Sequence, residues 1–189
     1  MVGRIARTLL IVVAWCISPL QAGAFGLAPV LPAQGTIQAA FSPWENIEGM
    51  IVAALGQAEH VILMQAYLLT GKPIVCALVN ARHRGVEVKV IVDVGQLNKL
   101  PLAQKQLLVL RKAGIAVWGE TRYANAHNKV IVIDAGQPGA TLITGSYNFT
   151  WSAQHKNAEN ILIIRGDAPV IDGYAHNWQR HSNNAAVYD

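Results

Sequence analysis

Residues Val130 to Ile133 constrain the fold more tightly than any other stretch of this chain, because every position is apolar. In an extended strand successive side chains face opposite sides, so Val130 and Val132 point one way and Ile131 and Ile133 the other. A strand that is apolar on both faces must be covered on both, which excludes a sheet with one wet side. Its polar residues stand only at the ends, His127, Asn128 and Lys129 before it and Asp134 after it. His127 and Lys129 share a face and leave the core together. On these eight residues alone two readings stand, a chemical centre or a buried strand with a capping histidine and a solvated lysine.

The preceding chain supplies the covering layers. Ile37 to Phe41 reads as a short strand, and Ser42-Pro43-Trp44-Glu45 as a capping box, with Ser42 as N-cap of a helix running to about Gln57. His60 to Tyr67 is a compact apolar run. A helix from Pro73 to Arg84 ends at Gly85, Val86 to Val92 is a strand, Pro101 to Ala113 a helix closed by Gly114, and Ile115 to Trp118 a strand. This βαβαβ rhythm predicts an α/β domain whose mixed, largely parallel central sheet carries helices on both faces. After Lys129 the rhythm changes to a hairpin, Lys129–Ile133 and Thr141–Thr144 around a Gly/Pro-rich turn. A strand from Asn160 to Arg165 and a helix from Pro169 to about His181 close the chain.

Residues 1–24 are set aside from the fold. Arg4 and Arg7, the apolar run Leu9 to Ile17 and the small residues Ala22-Gly23-Ala24 read as a secretory signal cleaved after Ala24, too short to span the ~20 residues a membrane helix needs. The expected location is periplasmic or secreted, without stable membrane association after cleavage. Residues 25–36 read as an extended leader and 37–189 as a single domain. The whole chain has a formal charge of +4. Loss of Arg4 and Arg7 lowers it to about +2, weak evidence by itself for a polyanionic partner. Cys76 is the one cysteine left, so no intrachain disulfide forms, and its apolar neighbours predict a buried thiol.

If Asp134 faces Thr141 across the hairpin, Lys129 lies opposite Ser146 and His127 opposite Asn148. An antiparallel return of the next strand adds Glu159, and a one-residue slip in register leaves the same groups together. The patch then holds an imidazole, an ammonium, a hydroxyl, a carboxamide and a carboxylate. Lys129, Ser146 and Asn148 suit the oxygens of a tetrahedral phosphate, and His127 suits a nucleophile whose tautomer a carboxylate such as Glu159 fixes. Other His, Asp and Glu residues are scattered and Lys129 would repel a cation, so no metal or cofactor is expected.

These residues resemble the phospholipase D superfamily, whose signature is His-x-Lys followed after four residues by Asp, here His127, Lys129 and Asp134, with a downstream Gly-Ser-x-Asn, here Gly145, Ser146 and Asn148. The likeness runs from about Phe41 to Trp178 and includes Asn157-Ala158-Glu159-Asn160. It is strongest to the small secreted bacterial endonucleases that carry one signature. The resemblance implies a phosphohistidine on His127, phosphate held by Lys129 and Asn148, Glu159 orienting a histidine, and a structural Asp134. One imidazole cannot serve at once as nucleophile and as acid for the leaving oxygen. With one signature per chain, the second histidine is expected from a twofold-related subunit, and the resemblance implies the same homodimer.

The function expected is a metal-independent, non-specific endonuclease acting on DNA and possibly RNA, with Arg82, Arg84, Lys89, Arg122 and Lys156 as candidates for steering the polyanion or as ordinary solvated charges. Trp44, Trp118, Trp151 and Trp178 are candidates for base stacking or for packing at element ends. A lipid phosphodiesterase or transphosphatidylase uses the same chemistry but would favour an interfacial amphipathic helix, of which there is no sign. A phosphate-binding module without turnover is the third reading.

Overall fold

The computed structural model describes residues 28–188; the signal segment and its expected cleavage site lie outside the described residues. In chain order the elements are β1 (Thr36–Ser42), α1 (Ile47–Gly56), β2 (Val61–Ala66), α2 (Lys72–His83), β3 (Glu87–Asp93), α3 (Val94–Lys99), α4 (Pro101–Lys112), β4 (Ala116–Glu120), β5 (Lys129–Ile133), β6 (Thr141–Gly145), α5 (Trp151–His155), β7 (Glu159–Arg165), α6 (Ala168–Ser182) and β8 (Ala186–Val187). All eight strands join one sheet in the order β1-β7-β6-β5-β2-β3-β4-β8.

The sheet is mixed and helices cover both faces, as expected, but its parallel part is confined to β2-β3-β4, where helical crossovers return the chain to the same end. The other pairings are antiparallel. The two-sided burial of β5 is realised. Ile131 and Ile133 enter a core with Ile47, Ile51, Leu55, Ile74 and Leu78 of α1 and α2, and Val130 and Val132 pack with Ile171 of α6 on the opposite face.

Several local expectations need correction. Ser42 does not cap α1. It ends β1, its hydroxyl donating to the Ala153 carbonyl (2.7 Å) and accepting the Glu159 N–H, while Asn46 caps the helix by accepting the Gly49 N–H. Both segments can cap, and tertiary partners decide between them. The hairpin register is one residue from that expected: Ile133 pairs with Thr141 and Val130 with Thr144. Asp134 stays outside the ladder in a left-handed conformation (φ 52°), because its carboxylate turns toward the start of β2. Cys76 is exposed, since Ile74, Ala77, Leu78 and Ala81 form the buried stripe of α2 and Cys76 faces away. The short helix α3 was not foreseen; Asp93 caps it through the Gln96 N–H.

Candidate active site

Strand direction assembles the site. β1, β2, β3, β4 and β6 run toward one end of the sheet, while β5 and β7 start there. The residues just after Ala66, Asp93, Glu120 and Gly145, and those at the starts of Lys129–Ile133 and Glu159–Arg165, are therefore neighbours. All five expected site residues fall at this end.

Two backbone anchors fix the loop that carries His127. Asp93 accepts the Ala126 N–H at 2.7 Å, and the Asn128 carbonyl accepts the Tyr67 N–H at 3.0 Å. His127 is then exposed, while Lys129 is buried. The Lys129 ammonium donates to His127 Nδ1 and to the His127 carbonyl, each at 2.8 Å. Tyr67 covers both, its ring 4.2 Å from the imidazole and its centroid 4.8 Å from Lys129 Nζ. Burial holds the Lys129 pKa below the usual lysine value, with nearby Glu159 partly opposing the shift. The sequence reading did not include Tyr67; a tyrosine ending an apolar strand beside the His-x-Lys strand was the available signal.

On the neighbouring strands, Ser146 donates to Glu159 Oε2 at 2.6 Å, and Asn157 donates to Oε1 at 2.9 Å. Both carboxylate oxygens thus have partners from their own loop, and the expected contact of Glu159 with an imidazole is not formed among the described residues. Asn148 is partly buried, and its Oδ1 has no hydrogen-bond partner among the described residues; the same holds for Tyr147 Oη, whose pKa is pushed up by burial and by the negative charges of Glu48 and Glu159. Gly145 has a steric reason to be glycine, because a Cβ there would collide with the Asn160 carbonyl oxygen and crowd Ile161 Cα. The close approach of β6 to β7 brings Ser146 within reach of Glu159.

Asp134 lies at the opposite end of β5, where its carboxylate accepts the N–H groups of Glu59 (2.9 Å), His60 (2.8 Å) and Val61 (2.8 Å). The expected cations divide between the ends as well. Arg122 follows β4 and Lys156 precedes β7, at the His127 end, whereas Arg82, Arg84 and Lys89 lie about the start of β3, at the other. Arg84 caps α1 through the Leu55 and Ala58 carbonyls, and Lys89 pairs with Glu87. Trp178 is core, donating to the Met64 carbonyl and meeting Trp118 edge-on, while Trp44 and Trp151 are exposed. No group of three or more His, Cys, Asp or Glu side chains gathers at metal-binding distance among the described residues, and no helix there is long and apolar enough to cross a membrane.

Comparison with known proteins gives a consistent result. A family model described as "Cardiolipin synthase, PLD-like domain" matches residues 51–181. A phospholipase D of Rickettsia typhi is 38% identical over 153 residues, covering 80% of this chain and 71% of the relative. A mitochondrial cardiolipin hydrolase of Xenopus tropicalis is 33% identical over 115 residues, 60% of this chain and 51% of that protein. Among solved structures, Nuc from Salmonella typhimurium, described as a phospholipase D family member, superposes with a TM-score of 0.76 at 30% identity, over 82% of this chain and 99% of Nuc.

Proposed function

The chain belongs to the phospholipase D superfamily of phosphodiesterases, and on that premise we propose that it is an exported, metal-independent endonuclease working through a covalent phosphohistidine at His127. The observation that carries the chemistry is the contact of 2.8 Å between the buried Lys129 ammonium and His127 Nδ1 at an exposed mouth. When Lys129 turns to a phosphate oxygen, Nδ1 is released to carry the ring proton and Nε2 becomes the attacking nitrogen. The P–Nε2 bond forms as the P–O bond to the leaving oxygen breaks, and that oxygen takes a proton from a general acid. Water then attacks phosphorus, the P–Nε2 bond breaks to regenerate the imidazole, and the proton from water returns to the group that protonated the leaving oxygen. The Asn148 carboxamide N–H, and the Ser146 hydroxyl once it turns from Glu159, complete the phosphate cradle, and the ammonium compensates the charge that grows on the non-bridging oxygens.

The general acid is assigned to His127 of the partner subunit in a twofold dimer, where Glu159 would orient an imidazole across the axis. Support for nucleic acid comes from the likeness to single-signature endonucleases and from the polar cleft beside His127, lined by Tyr123, Asn125, Asn128 and His181. The names of the Rickettsia and Xenopus relatives favour a second reading, a phospholipid diester as substrate.

One experiment separates them. Processed protein, begun at Phe25, is incubated with plasmid DNA, RNA and phosphatidylcholine vesicles, with and without EDTA, beside His127→Ala. Cleavage of nucleic acid in EDTA, lost in the variant, is expected. Loss of cleavage in EDTA would overturn the metal-free mechanism, and turnover of lipid alone would establish the second reading. A fully active monomer by size-exclusion chromatography with light scattering would remove the dimer, and an exported protein not starting at Phe25 would remove the assigned cleavage site.

A further inference from the structure

The phosphate chemistry leaves unused a second group of side chains in the cleft that His127 lines. Tyr123 and His181 stand there with Asn125 and Asn128. Tyr123 is 52% exposed, so its ring is open to a ligand entering the cleft. Its centroid lies 5.4 Å from that of His181, with the rings inclined at 49°. The two come from distant parts of the chain, the loop after β4 and the last turn of α6.

One buried carboxylate holds the His181 ring and the backbone just before Tyr123. Glu120 is 2% exposed; its Oε1 accepts the Arg122 N–H at 2.9 Å and its Oε2 lies 3.2 Å from His181 Nδ1. A carboxylate removed from water needs such donors, so Glu120 fixes both the turn into Tyr123 and the imidazole. The anchoring continues inward. Trp118 shares a strand face with Glu120, Trp178 shares a helix face with His181, and the two indoles meet edge-on at 5.6 Å. The Tyr123–His181 pair is therefore a preorganised aromatic surface opening on the reactive histidine.

We propose that Tyr123 and His181 form a stacking subsite for the nucleobase next to the scissile phosphate, an inference that rests on the nucleic-acid reading above. The exposed face of the Tyr123 ring suits the π-face that every base presents, with the inclined His181 ring flanking it, so the subsite adds affinity without sequence preference. Arg122 and Asn125, exposed at its rim, suit a phosphate oxygen and a base edge.

The test uses a dinucleoside monophosphate, which has one scissile diester, and its two analogues lacking the base on either side. Wild-type kcat/KM should fall about 10-fold on one abasic analogue, within the range for base–aromatic stacking. Tyr123→Ala should lose about the same factor on the intact dinucleotide and nothing further on that analogue, and Tyr123→Phe should behave as wild type. Equal losses by Tyr123→Ala on intact and abasic substrates would overturn the subsite, as would no loss. So would hydrolysis of plasmid DNA without the dinucleotide, since a base beside the diester is all the subsite requires. In all three cases His127-dependent cleavage of plasmid DNA leaves the nuclease reading intact; only its absence removes both.

Discussion

The two ends of β5 put similar polar chemistry to opposite uses. At the Asp134 end the carboxylate accepts three backbone N–H groups, and the Asp134 N–H donates to the Val61 carbonyl at 2.9 Å, so its principal hydrogen bonds are made inside the fold. At the other end Lys129 has three N–H donors and gives two, both to His127, which is itself exposed, so one N–H is left for a phosphate oxygen. A saturated polar cluster ties strands together. An unsaturated one, built on the same rigid strand, retains the capacity to bind a phosphate.

Breaking the reactive end should produce the largest effect. His127→Ala is expected to lower kcat by roughly 10^4-fold or more, the scale seen when a covalent nucleophile is removed, and to leave Tm nearly unchanged because the side chain is exposed. Lys129→Met should lower kcat/KM by about 10^2- to 10^3-fold without lowering stability, since an apolar side chain of similar length replaces a desolvated ammonium. Activity assays paired with thermal unfolding check both. A variant that lost activity only in proportion to its unfolding would show this end to be structural too.

The pKa of Lys129 sharpens the point. Burial lowers it and Glu159 raises it, so the ammonium should be lost as pH rises through a value below 10.5, and kcat/KM, which reports the free enzyme, should fall along that limb. Stability moves the other way, rising with pH through the same window because the unfolded chain binds the proton more tightly. Glu159→Gln should shift the limb to lower pH. Titration of the Lys129 Cε resonance reads this without turnover, and a midpoint at or above 10.5 would refute it.

The ends were unequally legible. β5 was readable to the residue, because its apolar run is bounded by polar side chains on both sides, and the segments from β2 to β4 followed from their breakers. The convergence of Lys129, Ser146 and Glu159 followed from antiparallel geometry and survived a register one residue off. What escaped were features decided across the chain. Ser42 has its partners in residues 153–159 rather than in the helix it precedes. The Glu120–His181 contact joins residues 61 apart, and neither has a local pattern. Arg82 and Lys89 looked equivalent to Arg122 until strand direction placed them at the far end.

At the saturated end the expected effect is on folding. Asp134→Ala removes three charge-assisted hydrogen bonds and leaves a β-carbon at φ 52° without the side chain that tolerates it. A loss of about 3–5 kcal/mol in urea unfolding is expected, with kcat of the folded fraction at low temperature within about threefold of wild type. A loss of kcat as severe as that of Lys129→Met in folded protein would erase the contrast between the ends.

The smallest effects extend the contrast from one strand to the whole sheet. Arg122 and Lys156 lie at the reactive end, whereas Arg82 is exposed at the other. If a nucleic-acid backbone runs past His127, each of the first two neutralises about one phosphate, so Arg122→Ala and Lys156→Ala should each weaken binding a few-fold and reduce the slope of log K against log salt by about 0.7–0.9. Arg82→Ala should leave the slope unchanged. Measured on catalytically dead His127→Ala protein with a labelled oligonucleotide, equal slopes for Arg82→Ala and Arg122→Ala would mean that the polyanion does not follow the reactive end.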